Sequence, residues 1–269
     1  MARTYQHVLI TGASSGIGRA VALSYAEPGV RLSLGGRDKA RLDEVADACR
    51  SKGADVAAEV VDVRDAAMME RWLTSTDEAH PLDLVIAGAG ITTGLGDGRL
   101  IESAESVRAI FAINVDGVLN TVLPILPRFV ARDRGRVAMV GSLAAYRALP
   151  YSPAYCATKA AVHLWAQSLR AGLAQTGVGV TLIAPGFVKT PLNAEIESPR
   201  PLQLNDAQAA KIIKSGLDAK RDLIAFPWLV YAGTRLLDLL PPRIVDWVMR
   251  RIRVEIPETR EGARPGSGS

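Results

Sequence analysis

His7-Val8-Leu9-Ile10, followed by Thr11-Gly12-Ala13-Ser14-Ser15-Gly16-Ile17-Gly18 and a helix-like stretch from Arg19 to Ala26, decides the fold class of this chain. A short apolar run that ends in a glycine-rich turn and opens into a helix reads as the start of a βαβ unit. Glycines at such a turn let the backbone come close to a pyrophosphate, and the helix amino terminus offers it free N–H groups and a positive dipole end. The spacing is G-x-x-x-G-x-G, a variant of the more common G-x-G-x-x-G dinucleotide fingerprint. A tight strand-to-helix turn with no ligand is the alternative reading of the glycines.

Working outward, further apolar runs stand at Val30 to Leu34, Val56 to Val61, Leu84 to Ala87, Val137 to Val140 and Val178 to Ile183, with helix-period stretches between them. That alternation predicts an α/β fold with a parallel, doubly wound sheet. Two long helices are expected near Ser103 to Arg132 and Ser152 to Thr176, the first interrupted at Pro124 and Pro127. Residues 1–222 read as one core, 223–257 as an apolar and amphipathic helical extension, and 258–269 as a disordered tail rich in Gly, Pro, Ser and charge.

Bulk composition narrows the function classes. At 269 residues and 48% hydrophobic, the chain is long enough for one sheet covered by helices on both faces. A net charge of +4, spread among acids, leaves no nucleic-acid footprint. Cys49 and Cys156 form neither a disulfide framework nor a zinc pattern and read as reduced packing residues. The scattered His7, His80 and His163 have no metal-ligand spacing, so each is read as structural. Met1 to Gln6 runs straight into the first strand with no signal-peptide pattern, so a cytoplasmic protein is expected.

The chemistry concentrates at Ser142 and Tyr155-Cys156-Ala157-Thr158-Lys159. Tyr155 and Lys159, four residues apart, share a helix face. A phenol titrates near 10 when unperturbed, and a nearby ammonium stabilises its phenolate and draws that value down. Ser142 closes the run Arg136 to Gly141, which reads as a buried parallel strand, so its hydroxyl is expected at the carboxyl edge where open α/β sheets bind ligands.

In order and spacing, Thr11 to Gly18, Asp62-Val63, Ala87-Gly88-Ala89-Gly90, Asn114, Ser142, Tyr155, Lys159 and Pro185-Gly186 resemble the short-chain dehydrogenase/reductases. The resemblance spans roughly residues 5 to 192. Ala87 to Gly90 departs from it, since the family usually has Asn-Asn-Ala-Gly there and Gly88 lacks the amide that helps tie the central strands. The resemblance implies an oxidoreductase acting between NAD(P)(H) and a carbonyl or secondary alcohol. Tyr155 would be the proton donor or acceptor. Lys159 would lower its pKa and hold the nicotinamide ribose, Ser142 would hold the reacting oxygen, and Asn114 would complete a water-linked relay to Lys159. Cofactor contacts would come from Gly12, Ser14, Ser15, Gly16, Ile17, Gly18, Arg37, Asp62, Val63, Ala89, Gly90, Tyr155, Lys159, Pro185, Gly186, Val188 and Thr190. A homo-oligomer, dimer or tetramer, is expected.

Cofactor choice turns on Leu34-Gly35-Gly36-Arg37-Asp38. An acid at the end of the second strand would accept from the ribose hydroxyl of NAD and repel a 2′-phosphate. Here Gly36 stands at that place and the Arg37 guanidinium follows, which favours NADP(H) over NAD(H). Asp38 as a helix cap beside a solvated Arg37 is the alternative. Leu143, Leu149, Tyr151, Phe187 and Leu192 near the expected cleft point to an apolar, lipid-like ketone as the small-molecule substrate. A sugar or polyol, or a non-catalytic dinucleotide-binding scaffold, are the rivals.

The segment from Leu223 carries a charge-free run to Thr234, too short for a span of about 20 residues. After Pro242, Ile244, Val245, Val248 and Ile252 fall on one helical face, with Arg243, Arg250, Arg251 and Arg253 available to the other. That arrangement suits peripheral contact with an anionic membrane. Packing on the core, covering the substrate cleft or an oligomer contact fits the same pattern.

Overall fold

Uninterrupted apolar runs form strands that lose both faces to the interior. In the computed structural model, which describes residues 4–92, 94–95, 99–190, 202–237, 239–241, 243–245 and 247, β1 (His7–Thr11) and β4 (Leu84–Ala87) are buried at every residue. With β2 (Arg31–Gly36), β3 (Asp55–Val60), β5 (Gly135–Val140), β6 (Val178–Pro185) and β9 (Leu223–Phe226) they form a parallel seven-stranded sheet in the order β3-β2-β1-β4-β5-β6-β9. The order reverses between β1 and β4. Such a switch point opens a crevice at the carboxyl edge of the sheet.

Helices cover both faces. α1 (Gly16–Tyr25), α2 (Lys39–Arg50) and α8 (Asp206–Asp218) bury their apolar stripes on one side, through residues such as Val21, Leu42 and Ile213. α3 (Ala66–Ala79), α4 (Ala104–Phe111), α5 (Gly117–Val122), α6 (Leu126–Ala131) and α7 (Pro153–Gly172) lie on the other, where Leu73, Val118, Phe129 and Val162 enter the second core cluster. Asp77 of α3, 3% exposed, accepts from Leu82 N at 2.9 Å and pairs with Arg128 and Arg132 of and beyond α6 at 2.7 and 2.8 Å. A small two-stranded sheet, β7 (Val188–Lys189) with β8 (Leu204–Asn205), sits at the carboxyl edge.

The expected helix over 103–132 is divided. α4 passes into a π-helical turn (Ala112–Asp116) and then α5, and the chain breaks at Pro124 before α6, which carries Pro127 in its first turn. Proline has no N–H to give the ladder and is tolerated where a helix starts. The helix expected to reach Thr176 ends at Gly172.

The sheet also reaches past residue 222. Leu223–Phe226 is a strand in register with β6, from Leu182 opposite Leu223 to Pro185 opposite Phe226. The charge-free run was expected to be helical from its first residue. Pro227 splits it, with strand before and α9 (Trp228–Leu237) after. Residues 248–269, which include Val248, Arg250, Arg251, Ile252, Arg253 and the expected tail, lie outside the described residues, as does Leu192.

Candidate active site

The cradle at the β1–α1 turn is built from backbone. Gly12 and Gly16 have φ of +71° and +53°, a region that favours glycine. A Cβ on Gly12 would lie 2.7 Å from Ala89 Cα, and one on Gly18 would collide with the Gly12 carbonyl oxygen. Asp38, Asp65, Ser103 and Asn205 cap α2, α3, α4 and α8 through their side chains, whereas the Ser15 side chain does not cap α1. The first-turn N–H groups of α1 are thereby left to an anion, which is what a bound pyrophosphate requires. Ile17 packs partly buried against the core, and Thr190, one residue past β7, has its Cβ 3.4 Å from where a Gly16 Cβ would be. Pro185 closes β6, Gly186 N donates to Phe226 O at 2.7 Å, and Val188 is buried. These residues fit a dinucleotide, with its pyrophosphate on the cradle.

Thr11 answers the departure at Gly88. Its hydroxyl accepts from Gly88 N at 3.2 Å and donates to Ile86 O at 3.4 Å, tying β1 to the end of β4 without an amide side chain. Gly88 also admits close approach, since a Cβ there would sit 2.8 Å from Thr11 O.

At the end of β2, Gly36 is buried and a Cβ on it would fall 3.1 Å from Ser14 Oγ. Arg37 is exposed beside it. Asp38 is the cap of α2, accepting from Arg41 N at 3.1 Å and Arg41 Nε at 2.8 Å. At the end of β3, Arg64 grips Asp62 through Nε at 3.0 Å and Nη2 at 2.6 Å, and this contact holds the Asp62 carboxyl below its ordinary range. Val63 beside it is buried. The Asp62-Val63-Arg64 spacing carried that pairing, and the sequence reading passed over Arg64.

Across the switch point the site is made of side chains. Ser142 leaves β5 with extended backbone, opens a 3₁₀ turn (Leu143–Ala145), and accepts from Ala144 N at 3.1 Å. The Tyr155 phenol, on the first turn of α7, shares a hydrogen bond with Ser142. Lys159, one helical turn on and 5% exposed, donates from Nζ to Val140 O at 2.9 Å. Gly90 lies close to this side of the crevice, because a Cβ there would be 3.2 Å from Asn114 Oδ1 and 3.5 Å from Lys159 Nζ.

Lys159 Nζ stands 5.8 Å from the Tyr155 ring centroid and donates to Val140 O. Burial pushes Tyr155 up, with the Ser142 hydrogen bond opposing. Lys159 itself is lowered by burial to about 8. Asn114 sits in the π-helical turn, and its amide is spent on the neighbouring loop. Oδ1 accepts from Ile91 N at 2.8 Å, and Nδ2 donates to Ile91 O at 2.9 Å and Thr158 Oγ1 at 3.3 Å. Its side chain therefore holds the Ala89-Gly90-Ile91 backbone beside Lys159.

Known proteins share this fold. A short chain dehydrogenase family model matches residues 6–201. An uncharacterized oxidoreductase of Myxococcus xanthus is 38% identical over 251 residues, covering 93% of this chain and 98% of the relative. A short-chain dehydrogenase from Sphingobium yanoikuyae, solved in complex with NADPH, is 28% identical with a TM-score of 0.77, covering 92% of this chain and 96% of that one. A short chain dehydrogenase/reductase from Burkholderia phymatum, solved with NAD, is 23% identical with a TM-score of 0.79, covering 97% and 100%, a likeness of fold.

Proposed function

The chain belongs to the short-chain dehydrogenase/reductase family and is an NAD(P)(H)-dependent oxidoreductase of a carbonyl or alcohol; from that premise we propose that it prefers NADP(H) and reduces an apolar, lipid-like ketone. One observation carries the catalytic assignment: Tyr155 shares a hydrogen bond with Ser142 at the end of β5, and Lys159, one helical turn on, is buried with its ammonium on Val140 O of the same strand.

The bound nicotinamide supplies the hydride. Tyr155 gives its phenolic proton to the carbonyl oxygen, and burial, which pushes the phenol up, keeps that proton in place until the oxygen takes it. Ser142 holds the same oxygen and donates to it as negative charge develops. Lys159 holds the nicotinamide ribose and keeps a positive charge beside the site. Asn114 fixes the Ile91 backbone, next to Gly90, through both atoms of its amide.

Support for NADP(H) comes from Gly36 in place of an acid beside the Ser14 hydroxyl, from Asp38 being occupied as a helix cap, and from the exposed Arg37 that follows Gly36. Support for an apolar substrate comes from Leu143, whose Cδ1 lies 3.3 Å from where a Gly186 Cβ would be, and from the half-buried Leu149, Tyr151 and Phe187. Initial rates with NADPH and NADH, measured against methyl ketones of graded chain length and against reducing sugars, test the reading. NADPH-driven rates that rise with chain length are expected; a preference for NADH or for sugars contradicts it.

A second reading concerns location. No residue of α9 is buried, Trp228 and Leu236 are 68% and 64% exposed, and Leu239, Ile244 and Trp247 extend the same apolar character. With Arg235 and Arg243 nearby, this supports peripheral contact of a cytoplasmic enzyme with an anionic membrane. Binding to liposomes that rises with anionic lipid and falls with salt is expected, and flotation independent of both contradicts it. Exposed Phe111, Leu123 and Leu164 support the expectation of a homo-oligomer.

A further inference from the structure

His163 was read from the sequence as structural, and the chemistry above does not use it. The ring is 4% exposed and lies under the exit of β5. Gly141 N makes the last ladder bond of that strand, to Ile183 O at 2.7 Å. The next N–H, that of Ser142, donates to His163 Nε2 at 3.2 Å. A neutral imidazole that accepts at Nε2 carries its proton on Nδ1. His163 Nδ1 is buried and has no hydrogen-bond partner. The strand runs directly over the ring, because a Cβ on Gly141 would collide with Nε2.

The other side of the ring faces α9 through one side chain. Tyr146, just past the 3₁₀ turn, meets His163 edge to face at 4.9 Å between centroids. Tyr146 meets Tyr231 of α9 at 5.2 Å and shares a hydrogen bond with it, and the Arg235 guanidinium lies 5.4 Å from the Tyr146 centroid. A continuous set of contacts therefore runs from α9 through Tyr146 and His163 to the backbone of Ser142.

We propose that His163 is a positioning residue that fixes the Ser142 backbone, and with it the angle of the hydroxyl toward Tyr155, and that Tyr146 makes this setting depend on the seating of α9. Ser142 sits between a strand end and a one-turn helix, so its amide would otherwise have no ladder partner to orient it. Displacements of about 1 Å in reacting groups cost about 100-fold in rate. Loosening this amide is thus expected to act on turnover and to spare cofactor binding. The inference rests on the catalytic reading of Ser142 and Tyr155.

The test compares His163→Leu, His163→Gln, Tyr231→Ala and the His163→Leu/Tyr231→Ala double variant, using NADPH and the methyl ketone turned over fastest. His163→Leu is expected to lower kcat by about 10- to 100-fold with the KM for NADPH unchanged. His163→Gln, whose amide oxygen reaches the place of Nε2, is expected to recover most of it. Tyr231→Ala is expected to lower kcat several-fold alone and to add nothing to His163→Leu. Equal losses in Leu and Gln, or independent losses in the double variant, overturn the proposal.

Should His163→Leu not fold, ring and amide ¹⁵N spectra of the wild type and Tyr231→Ala decide. The Nδ1–H tautomer of His163 and a Ser142 amide signal that moves in Tyr231→Ala are expected. The other tautomer or an unmoved signal overturns the proposal, whatever the substrate. Tyr155→Phe serves as the control. If it turns over normally, the catalytic reading fails, while the spectra still test the link from α9 to Ser142.

Discussion

The two sides of the crevice are made of different materials. On the β1–α1 side the working parts are backbone: positive-φ glycines, first-turn amides not capped by Ser15, and a Gly12 packed against the Ala89 backbone. On the β5–α7 side they are buried and half-buried side chains whose proton affinities are displaced, Tyr155 upward and Lys159 and His163 downward. The first side discriminates by shape, because a backbone cradle recognises any pyrophosphate that fits. The second discriminates by charge, because it must respond when charge develops on one oxygen. A steric change should therefore disable the first side, and a chemical or pH change the second.

The largest effect is expected from sterics. Gly18→Val places a branched side chain where even a Cβ meets the Gly12 carbonyl, so NADPH binding and turnover should be lost together. Fluorescence titration with NADPH reads this directly; retained affinity would show that the cradle is more yielding than its geometry implies.

Acid should reach the other side first. Burial, and secondarily the Lys159 ammonium, hold His163 at about 4, below its ordinary value of 6.5. A group whose folded pKa is depressed adds stability that is present above the unfolded pKa and lost as pH falls toward the folded one. The window is from 6.5 down to about 4. Across it the contribution lost is about 3 kcal/mol, since one pKa unit is worth about 1.4 kcal/mol. Urea unfolding of wild type and His163→Gln over this range should show the difference between them shrinking as pH falls. A constant difference would mean that His163 does not titrate in this window.

A smaller effect belongs to Arg37. Losing a charge-assisted contact with a 2′-phosphate is worth about 1.5 to 3 kcal/mol, so Arg37→Ala should reduce the ratio of NADPH to NADH specificity by about 10- to 100-fold. Ratios of kcat/KM for the two cofactors check it, and an unchanged ratio would transfer the role to Ser14 or Arg64.

The same division governs what could be read in the sequence. The glycine cradle and the strands β1 to β6 were legible because they are local: a glycine spacing, or an unbroken apolar run, carries its own meaning. β9 was hidden because Leu223 to Phe226 shares one charge-free run with the start of α9, and only the pairing with β6 separates them. The π-helical turn at Asn114 has no local signature; it goes with the amide's bonds to Ile91, 23 residues upstream. His163 passed for a packing residue because its partner, the Ser142 N–H, is 21 residues away and is exposed by the end of a strand. Tyr155 and Lys159 were identified, but their pKa shifts depend on burial and on whether Val140 O or the phenol receives the ammonium, which spacing does not contain.

The central claim, that this crevice transfers a hydride from NADP(H) with Tyr155 as the proton donor, is tested most directly by measuring NADPH affinity and turnover side by side in wild type and Tyr155→Phe. Turnover is expected to fall by more than about 1,000-fold while the affinity for NADPH stays within a few-fold, since only the transferable proton is removed. Near-normal turnover in a folded Tyr155→Phe enzyme would contradict the account.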